Sequence, residues 1–194
     1  MYPPDDELIK KAKNKDKQAF TVLFDKYKDR ILGYLYKYVG DYQKAEDLVI
    51  ETFLNVYNNL DSYKELGIFS SWLYKIATNC AKKELRKKER KFEVSMDDPI
   101  GDDEDSATLA DLVADDRQRP DYSAREAELK EEIYGILMEM DEKYKEVLLL
   151  CDVEGLTYDE AAQVLNTNSV TVGTRLKRAR SELAEVLKKR GFKI

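Results

Sequence analysis

A strongly acidic stretch divides the chain into two segments that are patterned as helices. Residues 92–124 hold eleven Asp and Glu residues against two Arg residues, together with two prolines and one glycine. The helical spacing of apolar residues fades there, and so little apolar surface cannot form a core of its own. We therefore expect an all-α protein of two small helical domains, at residues 1–91 and 125–194, joined by an acidic flexible linker.

The first segment carries apolar residues at the spacing of amphipathic helices. One series spans residues 20–35, a second spans 45–60 and a third spans 69–80. Gly40 and Asp41 separate the first two series and predict a turn. Because each apolar stripe must be buried against another, the three series together predict a compact helical domain.

Residues 155–180 have the pattern of a helix-turn-helix. Asn166 falls at the turn, where a left-handed backbone conformation is common, and Ser169 is expected to cap the second helix. In such motifs the N-terminal half of the second helix lies against base edges in the DNA major groove. The candidate contacts to bases and phosphates are Ser169, Thr171, Thr174, Arg175, Lys177 and Arg178. The alternative is an amphipathic helical hairpin with a solvated basic face.

A second candidate nucleic-acid surface lies in the first segment. Residues 69–86 place aromatic side chains beside a basic helix. That mix suits unstacked DNA, because rings stack on exposed bases while Lys and Arg hold the phosphates. Taken singly, Phe69 and Trp72 are better explained as core or rim aromatics. For the basic run 82–91 the alternative to phosphate contact is a solvated helix end.

The distribution of charge favours DNA as a partner in spite of a net charge of −6. Residues 70–91 hold eight positive and two negative residues, and residues 166–190 hold seven positive and two negative. Local charge sets the field that a phosphate backbone meets, and both basic regions coincide with the candidate DNA surfaces.

The composition argues against several other classes of protein. There is no histidine, which removes histidine-based catalysis and the usual zinc sites, so no catalytic residue, metal or cofactor is expected. Cys80 and Cys151 lie far apart in the sequence, which fits a reduced, cytoplasmic setting. No apolar run is long enough to span a bilayer, and residues 1–7 are acidic without an apolar signal core. Neither membrane insertion nor export is therefore expected.

Four segments, in this order, resemble the extracytoplasmic-function sigma factors, small members of the sigma-70 family of bacterial RNA polymerase subunits. Residues 45–54 resemble the polymerase-binding helix of that family, and residues 69–79 resemble its segment for promoter melting and −10 recognition. Residues 144–162 and 171–180 resemble its −35 binding domain. The match covers nearly everything outside the acidic stretch.

The resemblance implies a promoter-specificity subunit with no enzymatic activity of its own. Such a subunit binds core RNA polymerase through the clamp helices and the flap, recognises −10 and −35 promoter DNA, and helps to open the −10 DNA. The resemblance also implies an anti-sigma factor, and the free domains are expected either to pack together or to bind that partner. In the family the acidic segment passes through polymerase channels that otherwise hold nucleic acid. A solvated tether is the alternative for its composition.

The resemblance also assigns residues to two further surfaces. The loop at residues 61–68 would hold a base flipped out of the −10 strand, while Asn79 and Lys83, one helical turn apart, would contact the adjacent duplex. The candidate −10 residues are Tyr63, Lys64, Trp72, Lys75, Asn79, Lys82, Lys83 and Arg86. The candidate polymerase-binding residues are Asp47, Ile50, Glu51 and Leu54. A solvated acidic face and a plain surface amide are the alternatives for the acidic residues and for Asn79.

Several positions depart from the family pattern, among them Ile50, Gly173 and Cys151, and Met140-Asp141 replaces the usual Leu-Pro. Ile50 stands where Gln is usual, Gly173 where a basic residue is frequent, and Cys151 where Arg is frequent. Cys151 is either a redox switch or a buried structural thiol.

Two other functions fit parts of the sequence. One rival function is a dimeric helix-turn-helix regulator that acts without polymerase, which leaves the aromatic and basic first segment unexplained. The other is a sigma mimic that only sequesters an anti-sigma factor, against which the retained Thr174 and Lys177 count.

Overall fold

The computed structural model describes residues 2–64, 68–95 and 124–192, and for 88–95 and 124–128 it describes the helical backbone alone. Within these ranges the chain forms α-helices and no β-strand. Most of the acidic stretch predicted as a linker lies outside the described residues, as do residues 65–67 of the predicted base-binding loop. None of the described helices combines the length and the apolar character that crossing a membrane requires.

Eight α-helices are present in the described residues, and we number them in chain order. They are α1 Asp5–Lys13, α2 Lys17–Val39, α3 Tyr42–Asn59, α4 Phe69–Ser95, α5 Ala124–Glu139, α6 Glu142–Leu148, α7 Tyr158–Leu165 and α8 Ser169–Lys189. A 3-10 turn, Leu60–Ser62, follows α3, and a π-helical segment, Leu149–Val153, continues α6. Helix α4 extends four residues past position 91, where the first domain was expected to end.

Side-chain caps begin several of these helices. The Asp16 carboxylate accepts hydrogen bonds from two backbone N–H groups at the start of α2, and Asp41 does the same for one at the start of α3. Asp141 caps α6 in the same way. Between α2 and α3 the chain turns at Gly40, whose φ of +81° lies in the left-handed region that glycine adopts without strain. The turn predicted at this position is therefore present.

Helices α1–α4 pack around one core that contains the three predicted apolar series. Leu23, Ile31, Val56 and Leu73 are fully buried at its centre. Buried tyrosine side chains of α2 add to this core. The Tyr34 hydroxyl lies 2.7 Å from the Thr78 hydroxyl oxygen, within hydrogen-bonding distance. A buried tyrosine needs such a partner, so this part of the core holds an aromatic layer fixed by hydrogen bonds.

Helices α5–α8 form a second unit, in which α6 and the π-helical segment are enclosed by the others. Leu149, Leu150, Val172 and Leu176 are fully buried there. Val172, Leu176 and Ala179 recur at helical spacing and form the buried stripe of α8. This packing fixes the orientation of α8 and leaves its opposite face toward solvent.

The two units also pack against each other. The rings of Tyr36 on α2 and Tyr134 on α5 stack with centroids 5.1 Å apart. The Tyr38 hydroxyl donates a hydrogen bond of 2.6 Å to the buried carboxylate of Glu146 on α6. Helix α4 lies beside α7. The structure thus shows the two units packed together, which was one of the two states expected for the free domains. We call this packed state the closed arrangement.

Candidate nucleic-acid interface

The helix-turn-helix is formed by α7, the turn at residues 166–168 and α8. A capping box starts α7, in which the Thr157 hydroxyl accepts from the Glu160 backbone N–H and the Glu160 carboxylate accepts from the Thr157 backbone N–H. Asn166 adopts the left-handed conformation, with φ of +52°, as predicted for the turn. These local features set the direction of α8 relative to α7.

The predicted N-cap of α8 is wrong by one residue. Asn168, not Ser169, caps the helix, because its backbone is extended and its side-chain oxygen accepts a hydrogen bond of 2.8 Å from the Thr171 N–H. Ser169 is instead the first residue within the helix. Asn and Ser are about equally good N-caps, so the sequence alone did not separate the two positions.

The outward face of α8 carries most of the predicted DNA contacts. Thr174, Lys177 and Arg178 are exposed, while Thr171 and Arg175 are half-buried. The Thr174 hydroxyl donates to the Val170 carbonyl oxygen at 2.9 Å. No described carboxylate forms an ion pair with Lys177 or Arg178, so their charges are available to a phosphate backbone.

Two features of α8 were not predicted from the sequence: the exposure of Val170 and the close contact between Gly173 and Tyr158. The side chain of Val170 is 77% exposed in the first turn of the helix. A Cβ atom at Gly173 would lie 3.3 Å from the Tyr158 ring, so glycine lets that ring approach the helix closely. Helical spacing of the buried residues gives the signal for Val170, since it lies opposite the stripe formed by Val172 and Leu176.

The first unit presents its predicted −10 residues along α4 and the segment before it. Asn79, Lys83 and Arg86 are exposed on α4, whereas Lys75 and Lys82 are half-buried. Lys64 is exposed in the segment before the helix. A row of cations therefore runs along one helix, as the sequence predicted.

Trp72 belongs to an aromatic cluster with Tyr63 and Phe69. Its ring centroid lies 5.0 Å from that of Tyr63 and 5.9 Å from that of Phe69. Phe69 and Tyr63 are buried and Trp72 is half-buried. Phe69 is thus a core aromatic, while the accessible part of Trp72 lies at the rim of the first unit.

A cleft of about 1010 Å³ separates this rim from the helix-turn-helix. Lys64, Trp72 and Lys75 line one wall, and Asn168 and Ser169 line the other. The candidate −10 surface and the start of the recognition helix therefore face a common space.

Two of the predicted −10 cations are engaged by carboxylates. The Lys82 Nζ atom lies 2.6 Å from Glu146 Oε1, across the boundary between the units. The Lys83 Nζ atom lies 2.9 Å from Glu51 Oε1 on α3. The first pair is nearly enclosed and the second is exposed, so DNA competes more easily for Lys83 than for Lys82.

The predicted polymerase-binding residues lie on the outer face of α3. Asp47 is exposed, Glu51 is paired with Lys83, and the large apolar side chains of Ile50 and Leu54 are 55% and 57% exposed. A groove of about 210 Å³ beside Ile50 is bounded by α2. Two such apolar side chains one helical turn apart indicate a protein-binding surface.

Buried ionisable groups concentrate at the boundary between the units. Burial raises the pKa of the Glu146 carboxyl above its usual range, although hydrogen bonds from Lys82 and Tyr38 act in the opposite direction. Burial also lowers the pKa of Lys145, whose Nζ atom donates to the Tyr38 carbonyl oxygen. A second cross-unit link joins Glu154 to the Tyr74 hydroxyl and to Arg30. The closed arrangement therefore depends on charged groups that are largely removed from water.

Both cysteines are free thiols. Burial raises the pKa of the Cys80 thiol, and burial together with the Asp152 charge raises that of Cys151 to about 11. A thiol with so high a pKa is almost wholly protonated near neutral pH and therefore a weak nucleophile. For Cys151 this supports the structural alternative over the redox switch. No group of metal-ligating side chains large enough to hold an ion occurs in the described part of the chain.

Two helical units that present a helix-turn-helix and an aromatic-basic helix are typical of a DNA-binding protein. Residues 23–91 match the family described as Sigma-70 region 2, and residues 130–183 match the family described as Sigma-70, region 4. The ECF RNA polymerase sigma factor SigW of Bacillus subtilis strain 168 is 33% identical over 180 residues, which cover 93% of this chain and 95% of that relative. The RNA polymerase sigma-H factor of Pseudomonas aeruginosa strain PAO1 is 29% identical over 183 residues, covering 94% and 93%.

Two solved structures share the fold. One is CnrH in complex with the cytosolic domain of CnrY, with a TM-score of 0.68, 20% identity and coverage of 95% of this chain and 97% of that one. The other is the sigma factor RpoE of Bartonella quintana in complex with the anti-sigma factor NepR, with a TM-score of 0.66, 21% identity and coverage of 90% and 98%.

The chain belongs to the extracytoplasmic-function sigma factors of the sigma-70 family. It is a promoter-specificity subunit of RNA polymerase, and the family and the all-α, two-domain fold predicted from the sequence are confirmed. Membership in this family excludes the rival function of a regulator that acts without polymerase.

Proposed function

We propose that the exposed face of α3 binds the clamp helices of core RNA polymerase. Ile50 and Leu54 supply the apolar contact, and Asp47 and Glu51 supply carboxylates at its edge. The exposure of these two large apolar side chains is the observation that carries the proposal, because neither stabilises the fold and together they form a surface that a partner can bury. Because Lys83 on α4 forms an ion pair with Glu51 on α3, the proposed −10 surface adjoins the proposed polymerase surface.

The aromatic-basic helix α4 takes the −10 element in this proposal. Asn79, Lys83 and Arg86 face solvent and contact the duplex or its phosphates, with Lys75 and Lys82 beside them. Lys64 and the accessible part of Trp72 hold the base that is removed from the stack, because a ring can stack on the base and a cation can pair with its phosphate. Tyr63 was expected to take part as well, but it is buried and supports the Trp72 ring instead. Residues 1–91 form the domain that performs this step.

The helix-turn-helix takes the −35 element through the outward face of α8. Thr174, Lys177 and Arg178 are exposed and point toward the groove, while Ser169, Thr171 and Arg175 lie at the sides of the helix and contact phosphates. These exposed groups also favour a DNA-binding subunit over a mimic that only sequesters an anti-sigma factor. Residues 125–194 form the second domain, and the acidic residues 92–124 connect the two.

The protein acts without chemistry of its own, and polymerase supplies the catalysis in the cytoplasm. Its closed arrangement keeps the −10 surface facing the helix-turn-helix, so an opening step precedes promoter binding. We also propose that an anti-sigma factor controls this protein, since the structure of the Bartonella quintana sigma factor of the same fold contains such a partner.

Run-off transcription with purified bacterial core polymerase on a randomised promoter pool tests this function. The wild-type chain is expected to direct initiation and to enrich two promoter elements. Ile50→Asn with Leu54→Asn is expected to abolish both polymerase binding and transcription. Val153→Asn, at an apolar side chain that is 44% exposed outside α3, is the matched control and keeps both. Retention of polymerase binding by the α3 variant would refute the assigned surface.

A further inference from the structure

Val170 has no structural role that explains an apolar residue at its position. Its side chain is 77% exposed, more than that of any other large apolar residue in the described ranges. Valine is also among the weaker helix formers, because its branched side chain loses rotational freedom in a helix. Neither burial nor helix formation therefore accounts for valine in the first turn of α8.

The position of Val170 places it at the centre of the outward face. Val172, Leu176 and Ala179 are fully buried and define the inward direction of α8. At about 100° per residue, Val170 and Thr174 point within about 40° of each other and away from that stripe. Both therefore lie on the face that enters the major groove when the helix-turn-helix docks.

Thr174 presents a methyl group on the same face. Its hydroxyl donates to the Val170 carbonyl oxygen at 2.9 Å, so its proton is already used within the helix. The side chain therefore has no free donor for a base edge, although its oxygen can still accept a hydrogen bond, and its methyl group extends the apolar surface of the neighbouring valine. The two residues form a small apolar patch between Lys177 and Arg178, whose charges suit the phosphates on either side.

We propose that Val170 and the methyl group of Thr174 contact the C5-methyl groups of thymine in the −35 element. The thymine methyl is the apolar feature that a base pair displays in the major groove, and small apolar side chains are its usual contacts. This inference rests on the proposed function, in which α8 binds the −35 element. It adds Val170 to the specificity residues and gives Thr174 a contact through its methyl group in place of its hydroxyl.

Replacement of thymine by deoxyuridine tests the proposal, because deoxyuridine lacks only the C5-methyl group. Holoenzyme assembled from the full chain and bacterial core polymerase first selects its −35 sequences from a randomised pool. Promoter fragments with deoxyuridine at each selected thymine in turn are then compared with the parent fragment at fixed salt. We expect about fourfold weaker binding for each contacted methyl group that is removed, at one or two adjacent positions.

Variants then connect the effect to the two residues. Val170→Ala removes the two γ-methyl groups, so it is expected to discriminate less between thymine and deoxyuridine fragments at one position. Thr174→Ser, which keeps the hydroxyl, is expected to discriminate less at the adjoining position. Val153→Ala makes the same change at an exposed valine outside α8 and is expected to retain the full discrimination. All three positions are on the surface, so these variants are expected to fold.

The outcomes separate this inference from the function on which it rests. If the holoenzyme selects no −35 element, the proposed function fails and the inference fails with it. If it selects one but binds deoxyuridine and thymine equally everywhere, only the inference is overturned. Equal weakening of both fragments by Val170→Ala would assign this side chain to a protein contact and would also overturn it.

Discussion

The Nζ atom of Lys82 on α4 lies 2.6 Å from the Oε1 atom of Glu146 on α6, which joins the two helical units through a nearly enclosed ion pair. The Tyr38 hydroxyl donates to the same oxygen at 2.6 Å. Lys82 is one of the cations proposed for the −10 element, so in the closed arrangement a carboxylate occupies the place of a phosphate. If Lys82 contacts promoter DNA as proposed, opening of the units frees its charge for a phosphate, so opening and DNA binding favour each other.

Glu146→Ala is expected to shift the protein toward an open arrangement. The change removes hydrogen bonds from Tyr38 and Lys82 to a charged group, each worth about 1.5–3 kcal/mol. Screening by solvent is small, since the side chains of Lys82 and Glu146 are 26% and 4% exposed. Small-angle X-ray scattering should show a larger radius of gyration. Glu185→Ala, at an exposed glutamate on α8, is the control, and an unchanged radius for Glu146→Ala would contradict the role of the pair.

The closed arrangement is also expected to depend on pH. Burial raises the pKa of Glu146 in the closed form, so the carboxyl holds its proton more tightly when closed than when exposed to water. The resulting stabilisation is fully present below the pKa of an exposed glutamate, about 4.3, and is lost as the pH rises through the higher pKa of the closed form. Among the described residues, the titratable groups that act on this carboxyl include Tyr34, Tyr38, Lys82 and Glu142.

Scattering measured across this pH range tests the effect, with the radius of gyration expected to increase as the pH rises. Glu146→Gln keeps an acceptor for Tyr38 but cannot ionise, so it should remain closed and lose the pH dependence. A pH dependence that persists unchanged in this variant would assign it to other carboxyl groups.

Much of the fold was predictable because its signals are local. The spacing of Leu23, Ile31 and Val172 marks buried helix faces, and Asn166 marks a turn that needs a left-handed backbone. The pair Lys82–Glu146 was not predictable, since its partners lie on separate helices far apart in the sequence and nothing near either residue indicates the other. The closed arrangement remained one of two alternatives for the same reason.

The candidate site was predictable in part. Sequence patterns located Thr174, Lys177 and Arg178 on the outward face of α8, and the structure places them there. The pattern did not locate the cap at Asn168, because two good capping residues are adjacent. It also omitted Val170, because the contacts expected on α8 were hydrogen-bonding and charged side chains, and valine is neither.

Reversal of two charges on α8 is expected to separate DNA binding from polymerase binding. Lys177→Glu with Arg178→Glu should abolish transcription that depends on the −35 element, because phosphate contacts are replaced by repulsion. Polymerase binding should be intact, since the proposed polymerase surface lies on α3. The double variant Lys188→Glu with Lys189→Glu makes the same change at the exposed end of α8 and should retain transcription. Equal loss of polymerase binding would refute this division of labour.

Asn79→Ala is expected to change the preferred −10 sequence. Asn79 is exposed on α4 and lies one turn before Lys83, so its amide can reach a base edge in the adjacent duplex. Run-off transcription from a −10 promoter library, with sequencing of the transcripts, measures the preference. Asn58→Ala, at an exposed asparagine on α3, should leave the ranking of promoters as it is in the wild type. An identical ranking for Asn79→Ala would remove this residue from the recognition set.

Alanine at Gly40 and at Gly173 is expected to change stability in opposite directions. Gly40 has a φ of +81°, so alanine there should destabilise the fold by about 1–2 kcal/mol through left-handed backbone strain, in addition to contact with Met138.

Gly173 has an ordinary helical backbone, where alanine is favoured over glycine by about 1 kcal/mol. Its new Cβ atom would meet the Tyr158 ring at 3.3 Å, and that ring is 45% exposed and free to shift outward. We therefore expect a gain of about 0.5 kcal/mol for Gly173→Ala, measured by urea unfolding. A loss of stability at Gly173 would mean that the Tyr158 ring is held in place by its surroundings.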